Sequence, residues 1–274
     1  MAAMDAAVEQ HRLVTAERVL LGQTLLGSVK ALTDVLALTQ PLAFGRSTRL
    51  KQLVADLATA MELRERWQVE VAAMLSQLGS LALPVEVVER LYYGAALRAE
   101  DEVLLKRVPE TIENLLGHIP RLEVVRAILA GVHGVTVAPR AGLSVSQQSC
   151  AETGVALLLV AQGFDTLEAQ GSSPQLAIDT LRSRKGVYRA DVLEALSTIR
   201  GDTGVRREVR EVPLGGLRPG MMFAEDVKMD TGALFVPRGY EITSGLIERI
   251  RSLRSGAIKG VVRVIVPGTL RESV

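Results

Sequence analysis

The sequence predicts a mainly α protein in three parts: a long N-terminal helix (1–40), an all-α helical domain (41–200) and a small β-rich, α+β C-terminal unit (207–268). Three observations predict it. A proline-free stretch from Val8 to Thr39 repeats apolar residues at helical spacing. Segments of helical period, several with a proline at the start, follow as far as Arg200. After Gly201 short β-branched runs broken by glycine replace them. With 274 residues, 48% apolar and 23% charged, the chain has enough apolar material for one large or two ordinary domains, and the composition argues against disorder.

In the first helix a heptad frame runs through Val14, Leu21, Ser28 and Val35, with Leu25 and Leu32 on the companion row. Arg18 and Thr39 interrupt that row. Two readings stand: a signalling or dimerising helix, or an amphipathic helix lying on its own domain. Pro41 and Gly45 break the pattern, and a helix follows over 48–62 with Leu50, Leu53, Val54, Leu57 and Met61 on one face. Residues 66–79 are apolar around much of the circumference and are expected in the core. Pro84 opens the next helix, Pro109 stands in the first turn of another, and Leu122 to Val132 forms a further apolar segment. Residues 134–150 read as an irregular loop before the apolar run ending at Asp165 and Thr166. Ser173-Pro174 pairs a capping hydroxyl with a proline at the first helical position, and Asp191 starts the last helix.

GDTGVRREVR, beginning at Gly201, reads as a linker. Beyond it Glu208 to Val212, Met221 to Met229 and Ala233 to Val236 read as strands, with Asp230-Thr231-Gly232 as a hairpin loop. Thr243 to Ser255 has helical spacing, and VVRVIVP is a closing strand. The glycines of LGGLRPG are turn glycines, since no phosphate-loop pattern is present.

Thirty-two basic against thirty-one acidic residues leave a net charge of +1, which argues against a nucleic-acid partner held by bulk charge. The basic stretches at Arg206 to Arg210 and Arg249 to Lys259 are read as solvated surface. Cys150 is the single cysteine and fits a reducing compartment. No apolar run reaches bilayer-spanning length, and the first residues lack a basic start followed by an apolar core, so the expectation is a cytoplasmic protein with no membrane partner. His11, His118 and His133 are too few and too scattered to form a metal site by spacing, and Cys150 has no adjacent cation to activate it. Composition and spacing by themselves show no catalytic set.

Three stretches carry a resemblance. AAMLSQLGSLALP (72–84) resembles the A-A-x-L-H-D-I-G-K-x-x-x-P segment of HD-type phosphohydrolases, most closely the HD-GYP subgroup. VPETIENLLGHIPRLEVVRAIL (108–129) resembles the H-P-x-x-G helix pair of that subgroup, and residues 157–196 resemble its tail. The order is preserved over about 44–200. Residues 211–243 are similar to the small β appendage that follows such domains in response regulators, and the first helix is similar to the connector that follows a receiver domain. The 41–200 part is thus identified as resembling a degenerate HD-GYP-like helical domain, in a chain expected to lack a receiver.

Proteins of that subgroup hydrolyse cyclic di-GMP with two or three metal ions. The resemblance puts the family's metal positions at Arg46, Ser76, Gln77, Val108, Val132, His133 and Gln162, and its lysine at Ser80. The signature G-Y-P falls within Thr136 to Arg140, where Pro139 alone survives. Phe164 and Asp165 keep the late F-D pair. Of seven ligand positions only His133 keeps a ligand-type side chain. Valine has no lone pair to donate, glutamine is a poor partner for a hard dication, and arginine adds a fixed positive charge. The expectation is therefore a non-catalytic signalling module without catalytic residues, metal or cofactor, with Ser76, Gln77 and Gln162 hydrogen-bonding across the old cavity. It would act as a homodimer through the N-terminal helix and on a signalling protein not identified by the sequence. The alternatives are a non-hydrolytic cyclic di-GMP or nucleotide sensor, for which Arg46, Arg49, Arg107 and Arg140 are the candidate contacts, and a residual metal-dependent phosphodiesterase.

Overall fold

The computed structural model describes residues 25, 27–63, 66–134, 142–201, 209–232, 234–254 and 256–266. It is mostly helical with a small C-terminal sheet region, as the sequence predicts. The apolar interior falls into two clusters, one drawn from residues 29–196 and one from residues 217–264.

Helix α1 covers 27–39. Residues 8–24 of the expected helix lie outside the described residues. Within the described part the two heptad rows part company: Val35 is 47% exposed, whereas Leu25 and Leu32 of the companion row pack against the helical core beside Val29 and Leu36, which are 2% and 0% exposed. Thr33 is buried on the same face and donates its hydroxyl to the Val29 carbonyl. The row that packs is 29–33–36–40, so this end of the helix lies on its own domain.

The pattern breaks at Pro41 as expected, but not at Gly45. Helix α2 (Pro41–Ala60) starts at Pro41, where a proline costs nothing because the first amide has no helical acceptor, and Gly45 is buried inside it. Helix α3 (Trp67–Leu75) leads into a short 3-10 turn (Leu78–Ala82). Gly79 in that turn abuts the Val108 side chain so closely that a Cβ would not fit. Then come α4 (Val85–Tyr93), α5 (Ala99–Leu105), α6 (Val108–Leu116) and α7 (Glu123–Val132).

The central element is α8 (Val145–Ala169), about 38 Å long at 1.5 Å per residue, packed against α2, α3, α7 and α9. It corrects the irregular loop expected to residue 150. Ser144 caps it by accepting from the Gln147 amide while the Gln147 side chain accepts from the Ser144 amide, a reciprocal box that starts the helix at Val145. Contrary to the sequence reading, α8 is long and apolar enough by length and composition to cross a membrane. Half of its most apolar window is buried inside the helical domain, which accounts for the hydropathy as core packing. Helices α9 (Pro174–Ser183) and α10 (Ala190–Arg200) close the domain, α9 capped by the Ser173 hydroxyl.

The linker segment 202–208 lies outside the described residues. Strand β1 (Val209–Pro213) pairs antiparallel with β5 (Val261–Ile265), whose other edge takes β2 (Met222–Phe223). Strands β3 (Val227–Lys228) and β4 (Leu234–Val236) form a hairpin through the expected Asp230–Gly232 turn, and α11 (Ser244–Ser252) covers the small core. The single strand expected over 221–229 is split. The chain bends at 224–226 and delivers the Asp226 carboxylate to Tyr92, Tyr93 and the Arg238 amide.

Candidate functional site

Arg46 and Arg49 stand one turn apart on α2, which places them on neighbouring parts of one helix face. Arg46 lines a cavity of about 190 Å3 inside the helical domain. Around it α2, the α3–3-10 junction, α6, the end of α7 and α8 contribute Ser76, Gln77, Ser80, Val108, His133 and Gln162. Six of the seven positions carried over by resemblance therefore meet at one place. Val132 is the exception: it is half-buried at the last turn of α7 and does not line the cavity. The rest of the wall is largely apolar, from Leu42, Leu83, Val88, Leu91 and Leu105.

The polar groups are partly satisfied among themselves. The Gln77 amide donates to Ser76 Oγ at 3.2 Å, the Ser76 hydroxyl donates to the Ala73 carbonyl, and the Ser80 hydroxyl donates to the Gln77 carbonyl. Gln162 does not join them, which corrects the expected three-way closure: among the described residues its side-chain amide has no partner, and its backbone carbonyl accepts from the Thr166 hydroxyl. Arg46 donates through Nη2 to Thr166 Oγ1 at 2.8 Å and lies 3.3 Å from Asp165 through Nε. Burial lowers its pKa, partly offset by Asp165. His133 caps α7 and keeps solvent contact at the cavity mouth, yet enough protein surrounds it that partial desolvation lowers its pKa.

These residues do not fit a metal. Among the described residues no three His, Cys, Asp or Glu side chains converge. Segment 135–141, next to His133 and outside the described residues, contains none of these residue types. On the cavity wall His133 is the one ligand-type side chain, and the guanidinium of Arg46 supplies positive charge where a dication needs negative ligands.

Arg49 faces the other way, which corrects its assignment to the cavity. Asp165 accepts from Arg49 Nε at 2.5 Å and from Nη2 at 3.1 Å, a bidentate pair. Burial works against the Arg49 charge, and Asp165 beside it more than compensates, so the guanidinium is held above its usual pKa. Arg49 also donates to the Arg238 carbonyl, and Arg238 donates at 3.4 Å to the Asp165 carbonyl. Tyr92 and Tyr93, neighbours on α4, both donate to the Asp226 carboxylate, and Phe44 meets Tyr240 edge-on at 5.0 Å between ring centres. Burial, with Asp226 adding to it, raises the Tyr93 pKa. The β unit is thus docked to the helical domain through the turn 237–240, beside a cleft of about 430 Å3 that includes Arg49, Glu168, Arg200 and Arg238. Sequence reasoning missed this seam. The retained Asp165 and the Tyr92-Tyr93 pair, in a chain with four tyrosines, were the signals available. Arg107 is exposed at the start of α6, and Arg140 lies outside the described residues.

Residues 30–136 match the family described as HD domain, which supports an HD-like helical domain over this stretch. The match includes Arg46, Ser76, Gln77, Val108 and His133 and ends before α8, which carries Gln162 and Asp165. No curated protein and no solved structure matches the chain.

Proposed function

We propose that the chain is a non-catalytic regulatory module on an HD-GYP-like scaffold, working in bacterial signal transduction through protein–protein contacts. The observation that carries the reading is the content of the cavity: Arg46, Ser76, Gln77, Val108 and Gln162 meet where the resemblance puts metal ligands, and one histidine accompanies them. A two-metal phosphodiesterase gains its rate by activating water and neutralising phosphate charge through the ions. The donor set here supplies no carboxylate and a single imidazole, with neutral amide and hydroxyl oxygens and a guanidinium beside them. A dimer through the N-terminal helix and a cytoplasmic location belong to the same proposal. The outward stripe of Val35 and Leu38, 47% and 83% exposed, supports a partner on the face of α1 opposite the core.

The test is direct. The purified chain, incubated with manganese or iron(II), is expected to retain less than stoichiometric metal after desalting and to leave cyclic di-GMP and a generic phosphodiester uncleaved. Stoichiometric metal with turnover would overturn the reading. Sedimentation of the chain with and without residues 1–40 tests the dimer: loss of the dimer on truncation is expected, and an unchanged monomer in both would remove that part.

A further inference from the structure

We infer that the cleft between the helical domain and the β unit is a binding site for a small zwitterion with an apolar side chain, an α-amino acid whose carboxylate meets Arg238 and Arg200 and whose ammonium meets Glu168. The site is separate from the cavity beside Arg46 and does not depend on what that cavity holds.

Unspent polar groups come first. Arg238 reaches the cleft from the turn 237–240 and Arg200 from the end of α10, so both structural units contribute a guanidinium. Arg238 Nη2 makes only a long contact, 3.4 Å, to the Asp165 carbonyl. The Asp165 carboxylate itself is gripped by two nitrogens of Arg49. Arg238 Nε is buried without an acceptor, and among the described residues Nη1 has none either. Nε is enclosed, so Nη1 is the nitrogen left to meet a ligand. Arg200 spends Nη2 on Asp56 at 2.8 Å and keeps Nε and Nη1.

The opposite charge is equally unspent. Glu168, on α8, lines the same cleft and makes no hydrogen bond or ion pair among the described residues. Burial raises its pKa, and Arg238 is foremost among the positive charges acting against that rise. A guanidinium short of acceptors and a carboxylate short of donors thus share one cleft without bonding each other. A partly desolvated charge in that condition is costly until a complementary group meets it.

The pair sets the ligand class. An anion alone would leave Glu168 without a donor and set a second negative charge beside it. A metal cation would face three guanidiniums, and an apolar molecule would satisfy neither group. A zwitterion satisfies both ends with charge-assisted hydrogen bonds. Pro174, Val209, Met222 and Ile265 line the cleft and keep solvent contact, so an aliphatic side chain laid on them leaves water. At about 430 Å3 the cleft falls within the roughly 300–1,000 Å3 of small-molecule pockets. The occupant touches both units, so its binding stabilises their docking.

Calorimetric titration of the full chain with L-leucine tests the inference. Millimolar or tighter binding is expected, with glycine roughly tenfold weaker because it buries no side chain. N-acetyl-L-leucine, without the ammonium, and L-leucinamide, without the carboxylate, are each expected to bind roughly tenfold more weakly than leucine. Arg238→Gln is expected to weaken leucine by a similar factor. Glu168→Gln is expected to weaken leucine several-fold and to erase the preference for leucine over its N-acetyl form; it carries the test if Arg238→Gln fails to fold. Arg107→Ala, exposed on α6 and outside the cleft wall, is expected to leave binding unchanged. Leucine is also expected to slow hydrogen exchange at 237–240. No binding at tens of millimolar leucine, equal binding of leucine and both capped forms, or a preference for the free ammonium that survives Glu168→Gln would each overturn the inference. Leucine binding with unchanged exchange at 237–240 would overturn it too, because the site would then lie elsewhere.

Discussion

The two sides of Arg46 and Arg49 differ in how they handle charge. On the cavity side a single guanidinium, 3.3 Å from Asp165 through Nε, is the one charged group among hydroxyls, amides and aliphatic carbons. On the seam side every guanidinium stands near a carboxylate or a carbonyl: Arg49 on Asp165 and the Arg238 carbonyl, Arg200 on Asp56 at 2.8 Å, Arg238 on the Asp165 carbonyl. The difference teaches where ionic pairing stabilises this molecule. Charge is concentrated where two structural units must be held in one arrangement. It is thinned out where the resemblance puts a metal centre. Asp165 stands between the two regions, since Arg46 and Arg49 both approach it from α2.

The largest expected effect is therefore at Asp165. Asp165→Asn leaves two buried guanidiniums without their carboxylate, a change that typically costs about 3–5 kcal/mol. For a chain of this size that is a fall of roughly ten degrees in melting temperature. Thermal unfolding checks it, and a loss of only a degree would show that the seam is not held by this pair. Smaller and opposite in sign are two helical glycines. Gly27 has nothing within 4 Å of where a Cβ would stand, so Gly27→Ala is expected to stabilise by up to about 1 kcal/mol through helix propensity. At Gly45 the same Cβ would come within 2.8 Å of the Pro237 ring and 3.2 Å of the Arg238 carbonyl. Gly45→Ala is expected to lose about 1 kcal/mol net, because the overpacking cost exceeds the propensity gain. Its loss is expected to show as faster hydrogen exchange around 237–240. If both glycines respond alike, the units are not in tight contact in solution.

The smallest effect concerns Glu168, in the cleft beside the seam. Burial raises its pKa, with the neighbouring arginines acting in the opposite direction. A carboxyl whose folded pKa lies above its unfolded one costs nothing at low pH and destabilises progressively as pH rises through that interval. Glu168→Gln is expected to raise the melting temperature by a degree or two at pH 7 and to leave it unchanged near pH 4. A gain of the same size at both values would assign the effect to packing.

Much of the fold was legible in the chain because the cues were local. Leu50, Leu53, Val54 and Leu57 repeat with the helix and are all buried, and Ser173-Pro174 starts α9 as its chemistry requires. The errors came where a local cue had to be weighed against packing. Gly45 reads as a breaker, but it lies buried inside the helix that Pro41 opens. The start of α8 hides in polar residues that satisfy each other's amides. The heptad frame in α1 is shared between two surroundings: Val35 is exposed while Leu25 and Leu32 pack with Val29 and Leu36 on the domain. Resemblance brought six of the seven cavity positions together. It offered nothing on Arg49, Arg238 and Asp226, whose meeting depends on how the C-terminal unit docks, and no local pattern encodes that.

The span of the Asp165 cluster along the chain has a consequence in time. Its partners sit at positions 46, 49 and 238, and the contacts that close the seam join residues up to 189 apart. During synthesis the helical part emerges complete, with its aspartate already clasped from α2, well before residue 238 leaves the ribosome. A nascent chain can thus reach a self-consistent interior first, and the last strands arrive at a prepared berth.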